Sequence, residues 1–374
     1  MQLGDDERDE LRDTARRFLD DKLSVAAVRA VIEGDGPDSG VWSSIAELGW
    51  PAIHVAEAFG GMGASYVDVG VILHELGRHL APLPFLSSAI LGAEALVQAD
   101  NAALRDEWLP TVVSGERLIS VASADVGGSV SPCSGSAVRW RADGTTVRLD
   151  GVARFVPDAD AAVALVVGAT DAAGRVAFAL LDTNGPGVRV TVEPTMDQTR
   201  RLARVELDDV TVDPARLLGE PGELTGLQRR ITSLGAAAVA ADALGAAEHM
   251  MEVSAAYARE RRQFDRPIGS FQAVKHHCAN MLIAVEGARA AVAQAFGAFD
   301  DPDDDVDVAA SVAKSFAGPG CARVCETAVK VHGGIGFTWE HDAHLYLKRA
   351  KLDEALFGTT AWHRRRLGAQ LVAG

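Results

Sequence analysis

Basic residues that can bind a phosphate are concentrated in one stretch of the sequence, ARERRQFDRPIGSFQAVKHH at 258–277. The stretch contains five cations, which are Arg259, Arg261, Arg262, Arg266 and Lys275. Arginine forks match phosphate oxygens and Phe264 offers a stacking face, so the cluster can clamp a diphosphate. The same residues also fit a solvated helix end whose cations oppose the helix dipole.

Two glycines form a second candidate site for phosphate. Gly333 and Gly334 end a stretch of helical pattern that can begin near residue 308, and they expose backbone amides that a phosphate can approach. Three nearby histidines, His332, His341 and His344, suggest a metal site at first sight. Their spacing lacks the HxxxH pattern and positions 341 and 344 fit one exposed helical face, so we predict no metal site.

The composition excludes several kinds of partner. The 374 residues include 36 Lys and Arg against 52 Asp and Glu, a formal net charge of −16, which argues against a nucleic-acid partner. No apolar run approaches the ~20 residues that span a bilayer, and the acidic N-terminus lacks an apolar stretch. We therefore predict no membrane span and a cytoplasmic location. The four cysteines are too few for a disulfide framework and lack zinc-type pairing.

Three regions differ in their hydrophobic pattern. Residues 1–116 show helical spacing, residues 117–218 contain six short strand-like segments with no helix between them, three of them with clear alternation, and residues 219–374 return to helical spacing. The middle region is therefore an antiparallel sheet or barrel rather than a Rossmann unit. We predict an α+β multidomain protein with an N-terminal α-helical domain, a middle antiparallel β-barrel and a C-terminal helical bundle.

Glycine and proline mark three further positions. The segment AFGGMGAS at 58–65 is predicted to be a structural turn, because no strand precedes it and no phosphate-loop spacing follows. The acidic segment FDDPDDDVDV is predicted to be a solvated connector between two long helices. Pro319, between two glycines, is expected to kink or break the helix in which it lies.

Four stretches taken together resemble the acyl-CoA dehydrogenase family over nearly the whole chain. They read LGWPAIHVAEAFGGMG, LHELGRHLAPLPF, ERRQFDRPIGSFQAVKHHCANM and VHGGIGFTWEHDAHLYLKRAK. The resemblance implies a C-terminal four-helix bundle, the cofactor FAD and desaturation of acyl-CoA thioesters at Cα–Cβ. In such enzymes a glutamate removes the Cα proton, FAD accepts the Cβ hydride, and electrons usually leave through an electron-transfer flavoprotein.

The resemblance also implies which residues contact FAD, which in this family lies between two subunits. The implied contacts are Arg261, Gln263, Phe264, Ile268, Gln272, Lys330, Gly333, Gly334 and Thr359. The residues from 261 to 272 would serve the diphosphate side of an FAD bound largely by a neighbouring subunit, and the glycines would approach its adenosine end. Lys330 stands where the family usually has glutamine.

The sequence departs from the family at the positions that carry catalysis. Phe357 replaces the usual glutamate before Gly-Thr, and the alternative glutamate position aligns with Gly235. The arginine that follows the alternative position aligns with Ala236. The loop that usually reads like TEPxAGSD is VASADVGGSV at 121–130, and the Trp-Ile-Thr segment near the flavin reads Phe-Val-Pro at 155–157.

These losses lie on the half-site that a subunit builds for its own flavin, whereas the retained motifs serve the flavin of a neighbour. Our leading hypothesis is therefore a non-catalytic, flavin-sharing subunit of an α2β2 acyl-CoA dehydrogenase, resembling actinobacterial enzymes that act on steroid side chains. A self-sufficient homo-oligomer would need a shifted base, for which Glu354 is a better candidate than Asp353. A non-oxidative CoA-thioester enzyme and a scaffold that binds neither flavin nor CoA are the remaining hypotheses.

Overall fold

The computed structural model describes residues 3–34, 39–123 and 137–373. The chain divides into two compact units. The first comprises Met1–Leu3, Gly36–Val69 and Pro82–Gly235, and the second comprises Gly4–Asp35, Gly70–Ala81 and Ala236–Gly374. Helices α4 and α7, defined below, each contribute residues to both units. The domain boundaries predicted after residues 116 and 218 stay predictions.

The described residues form eleven α-helices and nine strands. The helices are α1 (Asp5–Lys22), α2 (Val25–Glu33), α3 (Ser39–Glu47), α4 (Tyr66–Arg78), α5 (Ala93–Val97), α6 (Ala102–Val113), α7 (Thr225–Glu260), α8 (Gln272–Asp300), α9 (Val306–His332), α10 (Ala343–Ala355) and α11 (Thr360–Ala373). The strands are β1 (Ile119–Ala122), β2 (Arg139–Asp143), β3 (Thr146–Pro157), β4 (Ala164–Thr170), β5 (Val176–Asp182), β6 (Val188–Glu193), β7 (Leu202–Val212), β8 (Arg262–Gln263) and β9 (Arg266–Pro267).

The first unit contains a curled seven-stranded sheet. Its strand order is β1, β4, β2, β3, β7, β6, and β5 also pairs with β4. The pairs β2 with β3, β3 with β7, β6 with β7 and β4 with β5 are antiparallel, as expected, whereas β1 and β2 run parallel to β4. The helical, β and helical order of the chain is thus confirmed, and the sheet is mixed rather than purely antiparallel.

Alternating apolar residues explain how the sheet curls around its own core. One face of β3 and β7 buries Leu149, Val205 and Leu207, and these side chains pack with Trp140 of β2 and Leu165 of β4. Strand β4 is buried along its whole length, which matches its continuous apolar sequence. Strand β2 has only one buried residue in five, so it gives little alternation in the sequence.

The turn predicted at 58–65 is present in the first unit. Gly60 and Gly63 have φ of +82° and +62°, which favour glycine. A Cβ on Gly61 would lie 1.8 Å from the carbonyl oxygen of Val55. The glycines are thus required by the backbone of the turn.

The long helices of the second unit are α7, α8 and α9. Helix α7 is rich in alanine and buried along most of its length, which permits close helix packing. Helix α8 buries Met281 and Val285 but leaves its first turns exposed. By length and composition α8 is apolar enough to cross a membrane, a test that core helices of soluble proteins also pass.

A buried ion pair fixes α10 on α7 within the second unit. Arg349 donates to both carboxylate oxygens of Asp242, at 2.8 and 3.0 Å, and the two side chains are 1% and 2% exposed. Arg349 also donates to the carbonyl of Ala81. The pair thus ties α7 to α10, the helix that precedes the turn containing Phe357.

The expectation that Pro319 breaks its helix is not met. Helix α9 runs without interruption from Val306 to His332 and contains Pro319. A proline removes one backbone donor, and its ring needs space beside the preceding turn. The structure nevertheless keeps Pro319 inside a continuous helix.

Candidate functional site

The basic cluster of the sequence folds into a short β-hairpin between α7 and α8, with two residues in each strand and two in the loop. Arg262 pairs with Pro267 and Gln263 pairs with Arg266. The loop residues Phe264 and Asp265 both have positive φ, of +52° and +63°, which is the backbone of a type I′ turn. Such turns favour Asn-Gly, so the Phe-Asp sequence gave no hairpin signal. A bulky residue held at positive φ stores strain, which is typical of functional loops.

This hairpin presents its cations and its aromatic ring outward. Phe264 is 86% exposed, and Arg261 and Arg262 are exposed as well. Arg266 lies over the ring of Phe271 at 4.1 Å and is thereby held against the start of α8. An exposed flat ring beside several guanidinium groups fits a ligand that is both planar and anionic.

Helix α9 ends at the glycine pair, as the sequence predicts. Gly333 has φ of +66°, and its N–H donates to the carbonyl of Lys330. A Cβ built on Gly333 or Gly334 would meet no atom within 4 Å. The positive φ explains glycine at 333, and the open space beside both residues leaves their backbone accessible to a ligand.

The hairpin and the glycine pair are connected through two stacked rings. Tyr257, near the end of α7, stacks on His332 with ring centroids 4.6 Å apart. Arg261 donates its N–H to the carbonyl of Tyr257, and Gly333 directly follows His332. The structure therefore brings together the base of the hairpin and the glycine end of α9, two of the segments that the resemblance assigns to FAD.

His332 packs among other aromatic rings. Its Nδ1–H donates to the carbonyl of Ala328 at 2.8 Å, and burial lowers the pKa of the ring. The ring centroid lies 4.4 Å from that of His341, and His344 stacks on Trp339. Ring stacking thus accounts for the position of these histidines.

Lys330 is less available than its exposure suggests. Its Nζ forms an ion pair with Glu326 at 2.7 Å, one helical turn earlier on α9. The lysine hydrogen bond lowers the pKa of Glu326. A phosphate at Lys330 would have to compete with this carboxylate.

Phe357 occupies a sealed turn between α10 and α11. Its side chain is 6% exposed and its φ is +54°. The next residue, Gly358, has φ of +102°, and a Cβ there would lie 2.7 Å from ring atoms of His363 and Trp362. The position that the resemblance assigns to the family base thus holds a buried ring in a turn with two positive-φ residues.

Two buried polar side chains that sequence reasoning missed hold this turn. His363 lies between the carbonyl of Phe357, at 2.9 Å from Nε2, and the hydroxyl of Ser311, at 3.0 Å from Nδ1. Burial lowers the pKa of His363 to about 3, so the ring is neutral, with Nε2 as donor and Nδ1 as acceptor. Lys314, 1% exposed, donates to the carbonyls of Asp353 and Glu354 at the end of α10.

The neighbouring candidates have structural explanations. The hydroxyl of Thr359 accepts the N–H of Trp362 at 3.2 Å, so Thr359 caps the start of α11. Glu354 is 28% exposed and pairs with Lys351 at 3.2 Å, whereas Asp353 is buried. A base for a thioester α-proton should be desolvated and unpaired, and Glu354 is neither.

The other departures lie in the first unit or at its limit. Gly235 is buried in α7, and Ala236 is 0% exposed. Phe155 has φ of +56° at a register shift between β3 and β7. Of the loop 121–130, residues 124–130 lie outside the described residues. Ser123 is described, and its hydroxyl lies 3.4 Å from the amide nitrogen of Gln228 on α7.

Comparison with known proteins agrees with the resemblance. Residues 5–116 match the family model described as acyl-CoA dehydrogenase, N-terminal domain, and residues 227–372 match the corresponding C-terminal domain. Acyl-CoA dehydrogenase IpdE2 of Mycolicibacterium smegmatis is 32% identical over 98% of this chain and 99% of that protein.

Two solved structures are similar over the same extent. The ChsE4-ChsE5 complex from Mycobacterium tuberculosis contains a chain with a TM-score of 0.90 and 30% identity, covering 100% of this chain and 99% of that one. A variant of the Tcur3481-Tcur3483 steroid ACAD gives a TM-score of 0.88 and 30% identity, covering 99% and 98%. The chain belongs to the acyl-CoA dehydrogenase family, whose members are FAD-dependent oxidoreductases.

Proposed function

We propose that this chain is the flavin-sharing, non-catalytic subunit of a heteromeric α2β2 acyl-CoA dehydrogenase. A second acyl-CoA dehydrogenase subunit supplies the glutamate that removes the Cα proton of the acyl-CoA thioester. Electrons leave through an electron-transfer flavoprotein, as the family resemblance implies.

One contrast carries the proposal. The residues that would serve a neighbour's FAD are exposed on the hairpin and at Gly333, whereas the family base position holds Phe357, buried in a closed turn. The alternative base position, Gly235, lies on a buried helix and has no side chain. Proton abstraction from a thioester requires a carboxylate or another base at the reacting carbon. These observations support a catalytic glutamate that is supplied by another chain.

The exposed residues divide between two parts of FAD. Arg261 and Gln263 would hold the diphosphate and Phe264 would stack on a flat part of the cofactor, while the backbone at Gly333 and Gly334 would approach its adenosine end. Bound FAD supplies the hydride acceptor of the dehydrogenation. This chain's own contribution is to bind and orient the cofactor.

The similar proteins support a two-chain enzyme. The ChsE4-ChsE5 and Tcur3481-Tcur3483 structures are named as pairs, and the second is called a steroid ACAD. By this analogy we propose a bulky acyl group, such as a steroid side chain, as the substrate of the complex.

Flavin retention tests the role of the hairpin directly. In the co-purified complex, Arg261→Met should lower the FAD content several-fold because it removes a charge-assisted contact to the diphosphate. Arg17→Met is the matched control, since Arg17 is exposed on α1 and donates to the neighbouring Thr14 on the same helix. Unchanged FAD content in Arg261→Met would remove the hairpin from the cofactor site.

A further inference from the structure

A cluster of four titratable side chains lies inside the first unit, and none of them is among the residues assigned to FAD. His54 follows a short 3-10 turn, Tyr66 begins α4, Glu94 lies on α5 and Arg230 lies on α7. Four separate elements thus each contribute one polar group to the same place. We call these residues the α5 polar cluster.

Three members of the cluster satisfy one another. The hydroxyl of Tyr66 donates to Glu94 at 2.6 Å and accepts from Arg230 at 3.0 Å. Arg230 also donates to the other oxygen of Glu94, which accepts from Gln98 at 3.1 Å as well. Glu94 is fully buried, and its charge is cancelled by that of Arg230.

His54 is the exception. Its side chain is 1% exposed, yet neither ring nitrogen has a hydrogen-bond partner in the part of the chain that the structure describes. Nε2 lies 3.8 Å from the nearer oxygen of Glu94, which is too far for a hydrogen bond. Buried polar groups in folded proteins are almost always paired, so an imidazole left unpaired by the protein requires a partner from outside the chain.

The environment defines what that partner must be. Burial lowers the pKa of His54, so the ring is neutral and has one donor nitrogen and one acceptor nitrogen. The carboxylate of Glu94 favours the proton on Nε2, the nearer nitrogen, which leaves Nδ1 as the acceptor. A partner should therefore donate a hydrogen bond, and it should be uncharged because the ion pair already balances the cluster.

The surrounding residues indicate that the part of the ligand carrying this donor group is apolar. Ile53 and Val55, on either side of His54, are 3% and 1% exposed, and Ile231 beside Arg230 is 0% exposed. The cluster is not sealed, because the side chain of Arg230 is 26% exposed. An alcohol group on an apolar molecule combines the donor with a surface that such an environment accepts.

The position of α7 relates the cluster to the acyl group. Gly235 follows Arg230 by five residues, about 7.5 Å along the helix axis. Gln228, on the same helix, contacts Ser123, which lies in the segment 121–130 that corresponds to the TEPxAGSD loop of the family. An acyl chain lying along this part of α7 would bring a hydroxyl several carbons from its thioester within reach of the cluster.

We propose that the α5 polar cluster binds the hydroxyl group of an apolar ligand, with His54 Nδ1 as the acceptor, and that the ligand is a hydroxylated acyl-CoA. The identity of the ligand as an acyl-CoA rests on the proposed function. The hydroxyl site does not, and it requires no turnover, so this half-site can bind such a molecule without converting it.

Calorimetric titration of the full-length chain, alone and co-purified with its partner, tests the site with three thioesters. These are octanoyl-CoA, its analogue with a hydroxyl on the penultimate carbon, and the corresponding ketone, which cannot donate. The hydroxyl analogue should bind about tenfold tighter than octanoyl-CoA, the effect of one hydrogen bond to an otherwise unpaired buried group. The ketone should show no gain. In His54→Phe the preference for the hydroxyl should disappear, and in His54→Gln it should be partly retained.

Two further measurements keep the test decisive. Octan-2-ol, titrated in parallel, shows whether a free alcohol is enough for binding or whether the CoA thioester is required. Binding of either hydroxyl compound that depends on His54 supports the site. The 15N shift of His54 Nδ1 in the wild-type chain should move on addition of the hydroxyl ligand, which does not depend on a variant folding. Equal binding of all probes with no change at Nδ1 would mean that water alone occupies the cluster, and would overturn the proposal. Since no turnover is measured, this result would leave the flavin-sharing role unaffected.

Discussion

Removing Arg349 should be among the most destabilising single changes in the second unit. The guanidinium and the Asp242 carboxylate are 1% and 2% exposed and form two hydrogen bonds. Arg349→Met leaves the carboxylate buried without its cation, which typically costs about 3–5 kcal/mol. That is roughly two to three and a half powers of ten in the folding equilibrium. At about 2–4 °C per kcal/mol for a unit of this size, the melting temperature should fall by about 6–20 °C.

A double-mutant cycle separates the ion pair from the packing around it. Arg349→Met with Asp242→Leu removes both charges, and this double variant should recover most of the lost stability, because replacing a buried pair by apolar residues is often neutral. Urea denaturation followed by circular dichroism measures the free energy of unfolding, and hydrogen exchange of the α10 amides localises the effect.

The matched control for this cycle is Arg12→Met. Arg12 forms an exposed ion pair with Asp9 on α1, and its loss should cost less than about 1 kcal/mol. If Arg349→Met proved as mild as this control, or if the double variant were as unstable as the single one, the argument from burial would be refuted.

Three further changes test other parts of the structure. In thermal melts, Gly358→Ala should destabilise the chain by more than about 1 kcal/mol, because φ at this position is +102° and the new Cβ would lie 2.7 Å from ring atoms on α11. The control is Gly368→Ala, in α11 with open space around it, which should be neutral or slightly stabilising. Glu354→Gln should leave dehydrogenase activity of the assembled complex unchanged, and a loss of turnover would restore Glu354 as a shifted base. Burial alone would lower the pKa of His74, but two neighbouring carboxylates, first Glu248 at 2.6 Å from Nε2 and then Glu75 at 3.1 Å from Nδ1, raise it above 6.5. The stabilising contribution of protonated His74 is therefore fully present below pH 6.5 and is lost as the pH rises through the pKa of the folded state. The free energy of unfolding of the wild type should fall as the pH rises through that pKa, and the free energy of unfolding of His74→Gln should depend less on pH.

Much of the fold follows from local patterns in the sequence. The six strand-like segments correspond to β1 and β3–β7, and helix α9 begins and ends close to the positions predicted near residues 308 and 333. Strand β2 was missed because four of its five residues are exposed and give no alternation. Helix α9 continues through Pro319 because tertiary packing outweighs one lost backbone bond. The parallel pairing of β1 and β2 with β4 joins segments distant in sequence, which periodicity does not encode.

The site was predictable where residue type alone determines it. Exposed arginines and a helix-ending glycine pair are visible in the sequence, and the structure shows their surfaces. The contacts that hold the turn around Phe357 could not be predicted. Buried Lys314 and His363 donate hydrogen bonds to backbone carbonyls of this turn, and each lies in an ordinary helical pattern. The cluster around His54 likewise joins four distant segments, so no spacing along the chain could indicate it.

Flavin content per chain tests the central claim most directly. The isolated chain and the complex co-purified from the native host are denatured, and released FAD is measured against the concentration of each polypeptide. We predict little FAD in the isolated chain and close to one FAD per αβ pair in the complex. An isolated chain that purifies yellow with a full complement of FAD and oxidises an acyl-CoA would contradict the account.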